Sequence, residues 1–172
     1  LFNPSTKENG GIFSQPQGWI ILAEALAGHG NRAFEYFEES SPASMNDKAE
    51  IRKLEPYCHG QFTESVESPF EGRAHVHWLT GTASTVMVGC VEGILGMRPD
   101  FGGLMISPSI PSDWKELEIN KTFRGKKLHM VIKNPNGKES GVSELVVNGT
   151  KIAGNYISAK DLAESNEIEV HM

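Results

Sequence analysis

The sequence is poor in cysteine, in clustered positive charge and in long apolar runs. It has two cysteines in 172 residues, Cys58 and Cys90, too few for a disulfide framework and not arranged as C-x-x-C. Two buried thiols in a reducing compartment are the simpler expectation, which points to the cytoplasm. Sixteen Lys and Arg stand against 22 Asp and Glu, a formal net charge of −6. The only basic cluster is Arg124, Lys126 and Lys127, so nucleic acid and anionic membrane surfaces are poor partners and a neutral polar or small molecule is a better one. No apolar stretch approaches the roughly 20 residues a membrane helix needs. The first residue is Leu1 rather than methionine, and no signal-peptide pattern is expected ahead of the first folded-looking segment. The chain opens on the loop-like LFNPSTKENGGIF, and the expectation is the C-terminal part of something longer.

What is present changes character near residue 105. Trp19 to Ala27 (WIILAEALA) is apolar nearly all round, as in a helix buried on most sides. GHGN stops it, and Arg32 to Glu39 starts an amphipathic partner, together an αα-hairpin. A loop, the charged segment DKAEIRKLEP and a long polar loop from Tyr57 to Gly72 follow. From Thr82, apolar residues recur at Ala83, Val86, Met87, Cys90, Val91 and Ile94 with a 3.6-residue period, while Ser84, Gly89 and Gly93 keep the other side thin; this helix is expected to pack tightly on two faces.

Beyond it the period becomes 2. Leu117 and Ile119, then Leu128, Met130 and Ile132, alternate with polar residues. Asn148-Gly149 between ELVV and TKI is a type I′ hairpin signal, and Ile168 and Val170 mark a last short strand. The tail is read as a small antiparallel β-sandwich, joined to the helical part by GLMISPSIPSDW.

One stretch carries chemistry. EGRAHVHWLTGTAST, Glu71 to Thr85, collects charged and ring side chains up to Trp78 and then shrinks to Thr80, Gly81, Thr82, Ala83 and Ser84. Small residues admit either a neighbouring helix or a ligand that seeks main-chain N–H groups. If Thr80 caps a helix beginning at Thr82, the first-turn amides and the helix dipole form an anion site, and Gly81 keeps it open. An N-cap with helix-packing residues is the plainer alternative. Two glycine-containing polar loops, KENGGIFSQPQGW and EPYCHGQFTES, flank the same helical core.

HWLTGTAS and VEGILGMRPDFGGLMISPSIPSDW, with KENGGIF, GHGNRAFEYFEE, MNDKAEIRKLEPY and FRGKK, resemble the C-terminal region of the inverting β-glucoside phosphorylases, the family of cellobiose, cellodextrin, chitobiose and laminaribiose phosphorylases. The resemblance covers essentially the whole chain in the family's motif order. NDKAEIRKLEPY and GRAHVHWLTGTAST look closest to cellodextrin phosphorylase. The resemblance implies an α+β chain: residues 1–105 as the end of a six-hairpin (α/α) toroid catalytic domain, and residues 106–172 as the C-terminal β-sandwich domain. It also implies a homodimer, no cofactor or metal, and inorganic phosphate as co-substrate.

The implied reaction is reversible phosphorolysis of β-1,4-glucan oligosaccharides to α-glucose 1-phosphate and a shortened saccharide. Other β-linkages (cellobiose, laminaribiose, β-1,2-oligoglucan, chitobiose) remain open, as does a noncatalytic carbohydrate-binding or structural module. An acid protonates the departing oxygen while phosphate attacks from the opposite face, as water does in an inverting glycosidase. Carried over residue by residue, the phosphate-binding Thr-Gly pair is Thr80 and Gly81. The sugar-contacting glutamine is Gln61, and the Lys-Glu pair lining the sugar subsites is Lys7 and Glu8. The family's phosphate-binding histidine is replaced by Gln15, which donates through a neutral amide. His59 is the candidate to compensate. The general acid, an aspartate, and the phosphate-binding arginine are expected upstream, so the fragment alone is expected to be inactive; Asp47, Asp100 and Asp113 are read as surface or turn residues.

Three further features carry alternatives. His75 and His77 would share one face of an extended backbone, with Cys58 or His59 able to complete a zinc site, although hydrogen-bonded histidines are the simpler account. Trp19 and Trp78 could stack on sugar rings or pack at helix ends, and packing is preferred for Trp114. For Arg73, a salt bridge to Glu64, Glu67 or Glu71 is the simpler expectation.

Overall fold

A computed structural model describes residues 2–172. Its first half runs β1 (Ile12–Phe13), α1 (Pro16–Leu26), α2 (Gly30–Ser40), a 3-10 turn (Ala43–Lys48), α3 (Ala49–Arg52), β2 (Phe62–Thr63), β3 (Ala74–His75) and α4 (Thr82–Val88). The second half is β4 (Met97–Pro99), β5 (Gly103–Ile106), β6 (Glu116–Phe123), β7 (Lys126–Lys133), β8 (Glu144–Val147), β9 (Thr150–Ile152), β10 (Tyr156–Ser158) and β11 (Ser165–His171).

Pro16 sits in the first turn of α1, where its missing N–H costs nothing. Gly28, at φ +87°, turns the chain into α2, so α1 and α2 form the expected hairpin. Helix α4 continues into a π-helical turn, Gly89–Ile94, closed by Leu95 N–H donating to Cys90 O at 2.8 Å. The backbones of α1 and α4 nearly touch: a methyl group on Gly18 would lie 2.1 Å from the Thr85 carbonyl carbon. That approach presses the loop entering α1 against the start of α4, and so positions the candidate site.

Burial on these helices is more one-sided than the sequence suggested. In α1, Ile21 and Ala25 are buried but Trp19, Ile20 and Leu26 are exposed. In α4, Val86 is buried and Met87 is 64% exposed, so a single face of this helix is tightly packed.

The β half holds most of the core. Strands β4 and β10 flank β5 in one antiparallel sheet, and a second sheet runs in the order β6-β7-β11-β8-β9. Ile106, Met130, Ile132, Leu145 and Val170, each fully buried, join Ile21 and Ala33 of the helices in one apolar cluster. Burying such side chains contributes about 1.5–3 kcal/mol each. The β8–β9 turn has Asn148 at φ +50° and Gly149 at φ +77°, with Val147 opposite Thr150, as the Asn-Gly signal requires.

Two expectations are corrected. The larger sheet is mixed, because β11 runs parallel to β7; alternation marks the buried face but not the direction of a partner. GLMISPSIPSDW, read as a joint, contains the central strand β5 and the fully buried Leu104, Ile106 and Ile110. Trp114, at its end, packs edge-on against Phe34 of α2, with ring centroids 4.9 Å apart.

Candidate functional site

Three two-residue strands assemble the site. Antiparallel pairing of β1, β2 and β3 places Phe13, Phe62 and His75 side by side across the ladder. Phe62 stacks on His75 at 4.9 Å and 8°, and Phe13 lies 6.0 Å from Phe62. Gln61, one residue before β2, is fixed from both sides: its N–H donates to His75 O at 2.8 Å and its carbonyl accepts from Ser14 N–H at 2.9 Å. The loops around residues 7–15, 59–63 and 74–82 are thereby tied together.

Lys7 reaches across this junction. Its ammonium donates to Gln61 Oε1 at 2.6 Å and lies 5.4 Å from the centre of the Phe62 ring. Lys7 itself is held at φ +46°, a conformation a lysine adopts at a cost of about 1–3 kcal/mol. Gln61 Oε1 is thus occupied as an acceptor, leaving its amide N–H₂ to donate outward. Glu8, beside Lys7, is exposed.

At the start of α4, Gly81 is half-buried and Ala83 and Ser84 are exposed. Thr85 N–H is the first amide to close a helical bond, to Gly81 O at 3.1 Å, so the amides of Ala83 and Ser84 precede the intrahelical ladder. Thr80 does not occupy the N-cap itself; Gly81 does. Thr80 Oγ1 accepts from Thr82 N–H at 3.1 Å and lies 2.7 Å from Thr82 Oγ1, which donates to Gly60 O at 3.3 Å. With the Thr82 proton given to Gly60, Thr80 O–H is the donor in the 2.7 Å contact, and turning it toward an anion would exchange that bond for one to the anion. Sequence reasoning passed over Thr82 as a small helix residue; only the contact with Gly60 shows its anchoring role.

Gln15 arrives at the same place. Its carbonyl accepts from Thr85 Oγ1 at 2.9 Å, and a methyl group on Gly81 would come within 2.9–3.1 Å of its side-chain amide atoms. Gly81 therefore leaves room for the group standing where the family histidine is expected. The structure brings Gln15 to Gly81 and Thr85, and Lys7 to Gln61.

His59 faces a different space, a cavity of about 310 Å³ lined also by Ser14, Gln17, Lys48, Arg52 and Thr82. Burial, and then the charge of Arg52, push its pKa below the usual histidine value. Both effects favour the neutral imidazole. Burial likewise lowers the pKa of Arg52, whose side-chain partner is the Pro42 carbonyl at 3.4 Å.

The neighbouring histidines take separate partners, because Val76 between them sits at φ +56° rather than extended. His75 Nε2 meets the buried Glu64 carboxylate at 2.5 Å, and His77 Nδ1 lies 3.3 Å from Glu55 Oε2. Ser68 also donates to Glu64, and this bond, followed by the His75 contact, holds its carboxyl below the usual range. Among the described residues no three His, Cys, Asp or Glu side chains surround a common point for an ion. Arg73 makes no ion pair among the described residues; its guanidinium lies 5.6 Å from the Phe70 ring. Asp100 accepts from Tyr156 Oη at 2.7 Å and from Gly102 and Gly103 N–H at 2.8 Å each, a turn role. Cys58 and Cys90 are free, and burial pushes the Cys90 thiol up to about 11.

Comparison with known proteins gives the family. The chain is 38% identical over 95% of its length to an N,N'-diacetylchitobiose phosphorylase of Vibrio furnissii. It is 37% identical over 87% to a cellobionic acid phosphorylase of Neurospora crassa and 29% identical over 99% to a solabiose phosphorylase of Paenibacillus borealis. It spans 20%, 18% and 22% of those proteins respectively, about a fifth of their length. Residues 1–96 match the glycosyl hydrolase 94 superfamily, catalytic domain, and the chain belongs to that superfamily.

Proposed function

We propose that this chain is the C-terminal part of an inverting glycoside phosphorylase and supplies its phosphate cradle and part of its sugar subsite. Residues 1–105 would close an (α/α) toroid and residues 106–172 would form the C-terminal β-sandwich domain, in an enzyme that works as a cytoplasmic homodimer. No helix of the described residues is long and apolar enough to cross a membrane. The observation that carries the reading is the convergence of two pairs from separate loops, Lys7 with Gln61 and Gln15 with Gly81.

In this reading the phosphate dianion lies against the Thr80 hydroxyl and the amides opening α4, with the Gln15 amide as a further donor. Its oxygen attacks the anomeric carbon. The bond from that carbon to the glycosidic oxygen breaks, and an upstream carboxylic acid gives its proton to the departing oxygen. The products are an α-sugar 1-phosphate and a shortened saccharide. The fixed donors hold the nucleophile in line without reorganising, while the Gln61 amide, oriented by Lys7, holds a sugar hydroxyl. Glu8 lines the same subsite. His59 would assist only as a neutral donor, so His59→Ala that leaves phosphate affinity unchanged removes it from the site.

The substrate class is a β-linked disaccharide or short oligosaccharide. The blocks NDKAEIRKLEPY and GRAHVHWLTGTAST favour cellodextrins, and the relative at 38% identity favours N,N'-diacetylchitobiose as the second reading. In the reverse direction, the intact protein should release inorganic phosphate from α-glucose 1-phosphate with cellobiose as acceptor. Release only with N-acetylglucosamine 1-phosphate and N-acetylglucosamine would select the second reading. Release with neither, nor with other β-linked acceptors, would reject phosphorolysis.

A further inference from the structure

Two aromatic rings beside the proposed cradle are not used by it. Trp78 is 67% exposed and Tyr57 70% exposed, and their ring centroids lie 5.9 Å apart at 54°, so the two rings form one tilted aromatic pair with open faces. The backbone that displays Trp78 is strained. Leu79 N–H donates to His77 O at 2.8 Å, closing a three-residue turn with Trp78 at its apex and φ +65°, a rare, strained geometry for a bulky L-residue. Val76, β-branched, sits at φ +56° on the other side of His77.

The two loops approach each other here: His77 Nδ1 lies 3.3 Å from Glu55 Oε2, on the loop that carries Tyr57, although without hydrogen-bond geometry. Trp78 is two residues from Thr80, which keeps the two Cα atoms within about 7 Å. An exposed indole face with a phenol beside it suits the apolar face of a neutral pyranose.

We propose that Trp78 and Tyr57 form a stacking subsite for a sugar ring of the saccharide substrate. The inference rests on the phosphorylase reading for its placement beside phosphate, but not for the stacking itself. In the intact protein, Trp78→Ala should raise the KM for the saccharide by roughly tenfold to a hundredfold. The KM for phosphate should stay within about twofold, since no phosphate donor is lost. Trp78→Phe should recover most of the loss, and Tyr57→Ala should give a smaller rise of the same kind.

A second readout is independent of turnover. Titrating the phosphate-free protein with cellobiose or N,N'-diacetylchitobiose should change its tryptophan fluorescence, and Trp78→Phe should remove that change while Trp19 and Trp114 still emit. A saccharide response through Trp78 in a protein without phosphorolysis would uphold the subsite and reject the phosphorylase reading. Phosphate-dependent turnover with the saccharide KM unmoved in Trp78→Ala and Tyr57→Ala, and the fluorescence response unmoved in Trp78→Phe, would overturn the subsite. So would a shift to monomer in Trp78→Ala at unchanged saccharide KM, which would mark the patch as a subunit contact.

Discussion

The two halves of the chain are held by different physics. Residues 97–172 form long ladders over a continuous apolar core, with ion pairs such as Lys133–Glu169 at 2.6 Å on the solvent face. The loops that build the site have a small apolar cluster of their own, Leu54, Cys58 and Ala74, and are tied by single hydrogen bonds across three two-residue strands. Four non-glycine residues there, Ser5, Lys7, Val76 and Trp78, lie at positive φ. Burial is concentrated where the pattern is regular, and left-handed non-glycine backbone is more frequent around the candidate site, although the turn residues Arg124 and Asn148 of the β half also take it.

The contrast predicts opposite responses to mutation. Ile132→Ala, in the fully buried centre of β7, should cost about 2–5 kcal/mol in chemical denaturation and leave KM values of the surviving folded protein unchanged. Gln61→Ala should cost little stability but lower the rate of phosphorolysis by about a hundredfold, the scale of losing one oriented donor. If instead Gln61→Ala unfolds the protein while retaining full activity per folded molecule, the contrast is wrong.

A smaller effect concerns Gln15. Gln15→His should lower the KM for phosphate by about five- to tenfold, the difference between a neutral and a charged donor. The gain should be larger at pH 6 than at pH 8, because the new imidazole is charged only in the acid range. Equal gains at both pH values would mean that charge is not what Gln15 withholds.

The smallest effect is on acid stability. The Glu64 carboxyl is held below its ordinary range by Ser68 and His75, so the unfolded chain binds the proton more readily. The stabilisation from Glu64 is present above the unfolded value, near 4.5, and is lost as pH falls through the folded one. Glu64→Gln should flatten the fall in stability below that point, as read by denaturation at stepped pH.

Legibility followed the same division. α1, α2, α4 and the alternating strands could be read from the spacing of their apolar residues, and the β8–β9 turn from Asn148-Gly149. The parallel pairing of β11 with β7 could not, because Ile168 and Val170 alternate in the same way beside either partner direction. Strands β1, β2 and β3 are two residues long, too short for any period, and the prolines of ISPSIPS hid β5 inside an apparent linker. The identities of the site residues came from motif resemblance. Which of them touch did not: nothing in the spacing of Lys7 and Gln61, 54 residues apart, announces a 2.6 Å contact.

The measurement that bears most directly on the phosphate cradle is the KM for inorganic phosphate in the intact protein carrying Thr80→Val, which keeps the shape and removes the hydroxyl. A hydrogen bond to a charged oxygen is worth about 1.5–3 kcal/mol, so that KM should rise by roughly tenfold or more while the saccharide KM stays within about twofold. A phosphate KM unchanged by Thr80→Val, in a protein that still requires phosphate for turnover, would contradict the cradle.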